Sequence, residues 1–427
     1  MKYAYINGKI LNGKSDMMPE TGKIVLTDGD RITAIADDGI DISGYKVVDL
    51  DGKYLMPGLI NMHVHLPAAG SKPKKHPTDS ARLAAIMTSC APTRLIMEDM
   101  CQSYARTELM SGVTTIRTVG GIRNYDSKIR DKIKKGIIDG PRILSSNYAI
   151  SVPHGHMAGS VSVIAHNADE AVNYVREIAE GKPDLIKLMI TGGVMDATVK
   201  GEPGVLKMPP EMVRAACEEA HRLGYKVAAH VESPEGVRVA LENGVDSIEH
   251  GARPDEEIIE LFKQRGAFHI LTISPALPYA LFDRSVSNTS EMGQFNGNVV
   301  FEGMIECAKA CLENGIPVGL GTDTGCPFTT HYNMWRELDF FRKYCGVTSR
   351  FALHTATQIN AELAGLGEIT GTIEAGKCAD MIVTEADPLD DLQALRNIEM
   401  VSARGKLFVH PHVRKMENVD RELDKYL

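Results

Sequence analysis

No stretch of the chain strings together the ~18 uncharged apolar residues that a membrane-spanning helix needs. The opening Met1–Lys14 has neither the apolar core nor the small-residue cleavage site of a secretory leader. The eight cysteines form no CxxC pair, which argues against a disulfide framework and points to a reducing, cytoplasmic setting. Cys307 and Cys311 stand four apart in a helical stretch and read as buried thiols. There is no basic excess: the net charge is −9 and the pI about 5.9. The one short basic run, Lys72–Lys75, is broken by Pro73 and reads as a solvated loop. A nucleic-acid partner and a membrane partner are therefore both unexpected. Internal repeats and low-complexity tracts are missing as well.

What remains is an ordinary globular composition, 43% hydrophobic and 24% charged, over 427 residues. That length exceeds what one small core usually supports. Short strand-like runs separated by Gly and Asp turns fill residues 1–57, among them Tyr3–Ile6, Lys23–Thr27, Ile32–Ile35 and Lys46–Asp49. The same texture returns near the other end, at Met381–Thr384 and Met400–Phe408. The two ends are expected to pair into one discontinuous β-sandwich domain, 1–57 with 367–412, leaving 413–427 as a charged, partly helical tail.

Between them, 58–366 alternates strand and helix. Apolar or β-branched runs occur at Leu59–His65, Thr114–Val119, Arg142–Ser145, Leu185–Ile190, Val227–His230, Ser247–His250, His269–Ile273 and Val318–Thr322. Helical patterns such as Pro210–Leu223 and Pro234–Asn243 stand between them. Alternation of this kind predicts parallel strands, and eight of them suit a closed (β/α)₈ TIM-type barrel, whose chemistry sits at the C-terminal strand ends. A long insert, about Pro67–Gly112, follows the first strand and is expected to form a lid or to reach a neighbouring subunit.

Residue types that bind metals fall at those strand ends. His63 and His65 close the first strand, two apart, so that alternation points both the same way. Lys187 lies on the fourth strand, His230 ends the fifth, His250 the sixth and Asp323 the eighth. Each alone has a plainer reading. A strand-end histidine is usually a hydrogen-bonded core residue, Lys187 can snorkel, and Asp323 can cap the following helix. As an ordered set at one end of one barrel they point to metal binding.

This set, together with Met56-Pro-Gly-Leu-Ile-Asn-Met-His-Val-His65 and Gly371-Thr-Ile-Glu-Ala-Gly-Lys-Cys-Ala-Asp-Met-Ile-Val383, resembles the amidohydrolase superfamily over residues 1–410. The resemblance implies two divalent metal ions, with zinc expected. His63 and His65 would hold the more buried ion and His230 and His250 the other. Lys187, carboxylated on its amine, would bridge them, and Asp323 would bind metal and act as the catalytic proton shuttle. A lysine ammonium has no lone pair for a metal, whereas its carbamate offers two anionic oxygens. The reaction implied is hydrolysis of a C–N bond by a water activated between the ions.

Within the superfamily the chain is similar to the prolidase-like and imidazolonepropionase-related branch, through Asp184-Leu-Ile-Lys187, Thr191-Gly-Gly193 and Pro153-His-Gly-His156. That likeness implies a dipeptide or N-acyl amino acid substrate. It places His156 at the substrate, although His154 departs from the usual glycine-rich form. Arg117 on the second strand is a candidate for pairing with a substrate carboxylate, or else a structural ion-pair partner. Tyr148 is a candidate donor, and His331 and Cys326 are expected over the site. A cation beside the metals would favour an amino-acid substrate. An apolar pocket would favour a cyclic amide, lactone, carbamate or organophosphate. A mononuclear site would revive a deaminase. A non-catalytic scaffold is disfavoured by the complete ligand set. Homo-oligomers are expected from the family likeness.

Overall fold

The computed structural model describes residues 1–75 and 79–427. The first six strands are β1 (Lys2–Ile6), β2 (Lys9–Ile10), β3 (Lys23–Asp28), β4 (Arg31–Asp37), β5 (Lys46–Asp49) and β6 (Tyr54–Pro57). Alternation along β1 sends Tyr3 and Tyr5 to one core and Ala4 to another, as the two-residue period of a strand requires. β1 lies in a sheet of order β4-β3-β1-β5.

Ten further strands belong to the middle of the chain: β7 (Leu59–Val64), β8 (Val113–Thr118), β9 (Arg142–Ser145), β10 (Ala149–Ser151), β11 (Ser162–Ile164), β12 (Leu185–Met189), β13 (Lys226–Val231), β14 (Ser247–His250), β15 (Phe268–Leu271) and β16 (Val318–Leu320). Every pairing among them is parallel, in the orders β7-β8-β9 and β11-β10-β12-β13-β14-β15-β16. Helices such as Ala168–Glu180, Pro210–Arg222 and Glu256–Arg265 connect them. This is the (β/α)₈ barrel.

The third strand differs from expectation. It is broken into β9, which pairs with β8, and β10, which pairs with β12. Between them Asn147 adopts φ 60°, a left-handed turn that asparagine tolerates better than most residues.

The barrel closes where the site residues are. Asp323 N–H donates to the His63 carbonyl at 2.8 Å and His65 N–H to the Thr324 carbonyl at 2.9 Å. Gly321 makes this approach feasible, since a Cβ there would sit 2.5 Å from the His63 Cβ. Below, the buried Asn360 amide donates to the carbonyls of Ile60 (2.8 Å) and Leu320 (2.9 Å) and accepts from Leu320 N–H (3.0 Å). A side chain thus replaces missing ladder bonds between the first and last strands.

The chain then returns through β17 (Met381–Thr384), β18 (Met400–Ala403) and β19 (Lys406–Val409). β17 runs antiparallel to β6, Met381 opposite Pro57, so both chain ends share one sheet, β19-β18-β17-β6-β2. Leu55, Met381 and Val383 of this sheet meet Tyr5, Val25 and Ile32 of the other in one core.

The insert forms two helices, Ser80–Ser89 and Ala91–Met110. The first is capped by Asp79, which accepts from Ala81 and Arg82 N–H. Residues 76–78 of the insert lie outside the described residues. Among the described residues no helix is long and apolar enough to cross a membrane.

The tail carries the helix Glu417–Leu423, whose Val419 and Leu423 join the barrel core. The buried Arg336 donates to Asp420 and Asp424 of the tail and to Asn333 beside it. Breaking a buried ion pair from one side strands the remaining charges. Arg336→Ala is therefore expected to weaken tail docking by about 3 kcal/mol, measured as faster proteolytic release of 413–427. Unchanged release would show that Val419 and Leu423, with the Arg396–Asp424 pair, suffice to anchor it.

Candidate functional site

Four imidazoles converge at the C-terminal mouth of the barrel. The rings of His63 and His65 are 5.3 Å apart, those of His63 and His250 4.8 Å, and those of His250 and His230 4.7 Å. Each imidazole has one nitrogen tied to the scaffold. His63 Nδ1–H donates to Glu249 Oε2 (2.8 Å), His65 Nδ1–H to the Gly120 carbonyl (2.7 Å) and His230 Nε2–H to the Gly192 carbonyl (3.2 Å). His250 Nδ1 bonds Thr272 Oγ1 at 2.7 Å. For His63, His65 and His230 the carboxylate or carbonyl acceptor fixes the tautomer and leaves the second nitrogen with a lone pair. Burial, helped for His63 by Lys187, lowers its pKa to about 4, and burial holds those of His230 and His250 far below the usual value. Neutral rings oriented by outer hydrogen bonds are the arrangement metal-ligating histidines use.

His250 and Asp323 reach the site by an unusual backbone. Their φ values are 68° and 55°, a conformation that costs a non-glycine residue of order 1 kcal/mol or more. Asp323 Oδ1 lies 3.4 Å from His63 Nε2 and 3.1 Å from His65 Nε2, without a hydrogen bond of its own among the described residues. Burial opposes its charge, but the imidazoles of His63, His65 and His250 together hold the carboxyl well below the usual range. Cys326 Sγ–H donates to the other oxygen, Oδ2.

Lys187 points into the same space from β12. Its side chain is fully buried, Nζ has no hydrogen-bond partner among the described residues, and burial, assisted by Arg117, lowers its pKa to about 8. Ligand atoms of His63, His250 and Asp323 lie within 4.8 Å of one another, and so do those of His230, Glu232 and His250. Two overlapping clusters of imidazole and carboxylate, with an orphaned buried amine between strands, fit a pair of divalent ions.

Three sequence candidates sit elsewhere. Arg117 does not line the cavity. Its guanidinium donates to both oxygens of Glu249 at 2.7 Å, to Ser247 and to the Met62 carbonyl. It fixes the carboxylate that orients His63, so its structural reading replaces the substrate one. Both ring nitrogens of His331 bond inward, Nε2 to the Ala68 carbonyl and Nδ1 to Glu108, and the ring stacks on Tyr104 at 4.6 Å. It ties the insert to the loop after β16 instead of facing the cavity. Tyr148 is half-buried against the core, away from the cavity lining.

His156 does reach the cavity. It stacks on His230 at 4.0 Å, and its Nδ1 bonds Asp196 Oδ2 at 2.5 Å. Gly193 lets it come close, since a Cβ there would be 3.2 Å from the ring.

Glu249, Asp196 and Glu232 were not singled out from the sequence. Glu232 had a signal: it stands two residues after His230, the same spacing that pairs His63 with His65. Burial, then the charges of Asp323 and Asp196, raise its pKa to about 8. The cavity is about 220 Å³, walled mainly by apolar groups such as Leu83, Met97, Ile122, Met189, Val194 and Met304. Lys187 is the one cationic side chain among the described residues that line it.

A parallel barrel with such a cluster at its mouth defines a hydrolase of the metal-dependent barrel class. The chain belongs to the amidohydrolase family, whose model matches residues 54–408. It is an enzyme acting on small molecules at carbon–nitrogen bonds. It is similar to the structure of a candidate prolidase from Bifidobacterium longum, 34% identical with a TM-score of 0.86, covering 99% of this chain and 98% of that one. A Xaa-Pro dipeptidase with methionine bound in its active site is 27% identical, TM-score 0.84, over 96% of this chain and 100% of that one. The ochratoxinase of Aspergillus niger is 28% identical over 388 residues, 84% of this chain and 76% of that protein.

Proposed function

We propose that this enzyme hydrolyses the amide bond of a dipeptide or N-acyl amino acid with an apolar acyl side, at two divalent ions, zinc by preference. The observation that carries this reading is the convergence of His63, His65, His230, His250, Asp323 and the unpartnered Lys187 at one barrel mouth. Lys187, carboxylated, and the four imidazoles would hold the ions. Bound there, the ions would polarise the scissile carbonyl and lower the pKa of a water to about 7.

The chain's own groups do the rest. Glu249 and Gly120 keep the imidazoles of His63 and His65 turned inward. Asp323 accepts the proton of the attacking water on Oδ1 and passes it to the leaving nitrogen. The apolar wall excludes water around the acyl group. The prolidase and Xaa-Pro dipeptidase likenesses support a peptide-type substrate, and the ochratoxinase likeness is compatible with a bulky apolar one.

The apolar lining, with Arg117 and His331 turned away, favours a second reading: a cyclic amide, lactone, carbamate or organophosphate. One screen separates them. Dipeptides with an apolar first residue and their N-acyl counterparts are expected to turn over with kcat/KM near ~10⁴ M⁻¹s⁻¹. A chelator should abolish turnover and zinc restore it. Turnover of lactones or carbamates alone would sink the first reading.

A further inference from the structure

Glu232 stands in the cavity wall with half of its carboxyl unaccounted for. As a residue it is half-buried, yet Oε2 is shut off from solvent and has no hydrogen-bond partner among the described residues. The Val194 N–H lies on the side of the carboxyl and favours its charged form. The backbone is fixed, because Glu232 N–H donates to Thr191 Oγ1 at 3.0 Å. A buried carboxylate oxygen without a donor is unfavourable, and a ligand that supplies one gains from it.

Position narrows the ligand. A carboxyl oxygen of Glu232 lies within 4.8 Å of the ligand atoms of His230 and His250, against the place where a scissile carbonyl would be bound. The acidic groups near it are Asp323 and Asp196, and the wall beyond is apolar. This corner suits a positively charged nitrogen close to the carbonyl. In a dipeptide the α-ammonium sits on the carbon next to the scissile carbonyl. An N-acyl amino acid carries no charge there.

We propose that Glu232 is an ammonium-binding subsite, its Oε2 accepting from the free α-amine of a dipeptide, so that the enzyme selects dipeptides over N-acyl amino acids. This rests on the peptide reading given above and sharpens it.

The test uses the zinc-loaded enzyme and matched pairs differing only in the amine. Leu-Phe is compared with 4-methylpentanoyl-Phe in kinetics, and L-leucine with 4-methylpentanoate in calorimetry. The wild type is expected to favour the amine in both, by tenfold or more. Glu232→Gln is expected to collapse both preferences, through KM in the kinetic pair, with metal content unchanged. Equal treatment of both members by the wild type would overturn the subsite, as would a Glu232→Gln variant that keeps the preference. Loss of metal in the variant would overturn it too, making Glu232 a ligand. A calorimetric preference that survives while neither Phe conjugate is cleaved would leave the subsite standing and remove the proposed peptide reaction.

Discussion

Lys187→Ala is expected to lower the bound metal from about two ions per chain to one or fewer, and to reduce kcat/KM by more than about 1,000-fold. The reason lies in what surrounds Nζ. The amine is fully enclosed, has no partner, and is pushed down to about 8 by burial. A neutral amine can add CO₂ to give a carbamate and release a proton, and a carbamate there would offer anionic oxygens to the ions. Without them, only the imidazoles and Asp323 remain to hold two ions, and the clusters share His250. Metal content should be measured on protein purified with bicarbonate, beside a thermal melt. The melts of the two metal-stripped proteins should both be cooperative, because the substitution breaks no hydrogen bond among the described residues. A short carboxylic acid added to the variant should restore part of the metal and part of the rate. Two ions still bound by Lys187→Ala would remove the bridging role and return mononuclear chemistry to consideration.

The barrel was legible because its strands repeat a local pattern, and the site because its residues end those strands in order. What local pattern cannot show is which way a side chain turns once neighbouring strands are in place. Arg117 reads from sequence as a free guanidinium. Only the fold brings Glu249, 132 residues later, to within 2.7 Å. His331 reads as a loop histidine above the site, but Glu108 and Ala68 come from an insert more than 200 residues earlier. In β7 the register against β8 slips between Asn61 and Val64, so simple alternation through His63 and His65 holds less strictly than the spacing suggests. Glu232 is a different kind of miss: the i, i+2 rule applied to His63 and His65 also covers His230 and Glu232. The break in the third strand had a signal too, in Ser145-Ser-Asn147, since asparagine accommodates a left-handed turn.

Asp323→Asn should separate holding metal from moving a proton. The substitution keeps shape and one oxygen while removing charge and basicity. Asp323 is held from three sides: its N–H bonds the His63 carbonyl, Oδ2 takes the Cys326 thiol, and Oδ1 lies between the Nε2 atoms of His63 and His65. The amide can keep these places, so the fold and most of the metal should survive. The rate should not. Loss of a positioned general base commonly removes 100- to 10,000-fold, and a fall in kcat of about 1,000-fold with little change in KM is expected here. The pH profile adds a second check. A carboxylate must be ionised to accept a proton, and this carboxyl is held well below the usual range. Its protonation should therefore leave the rate unchanged near neutral pH, and the acid-side fall should come only as the pH drops toward about 4, where His63 takes up a proton, in wild type and Asp323→Asn alike. If instead metal content drops in step with the rate, Asp323 matters as a ligand, and the proton must leave by another group.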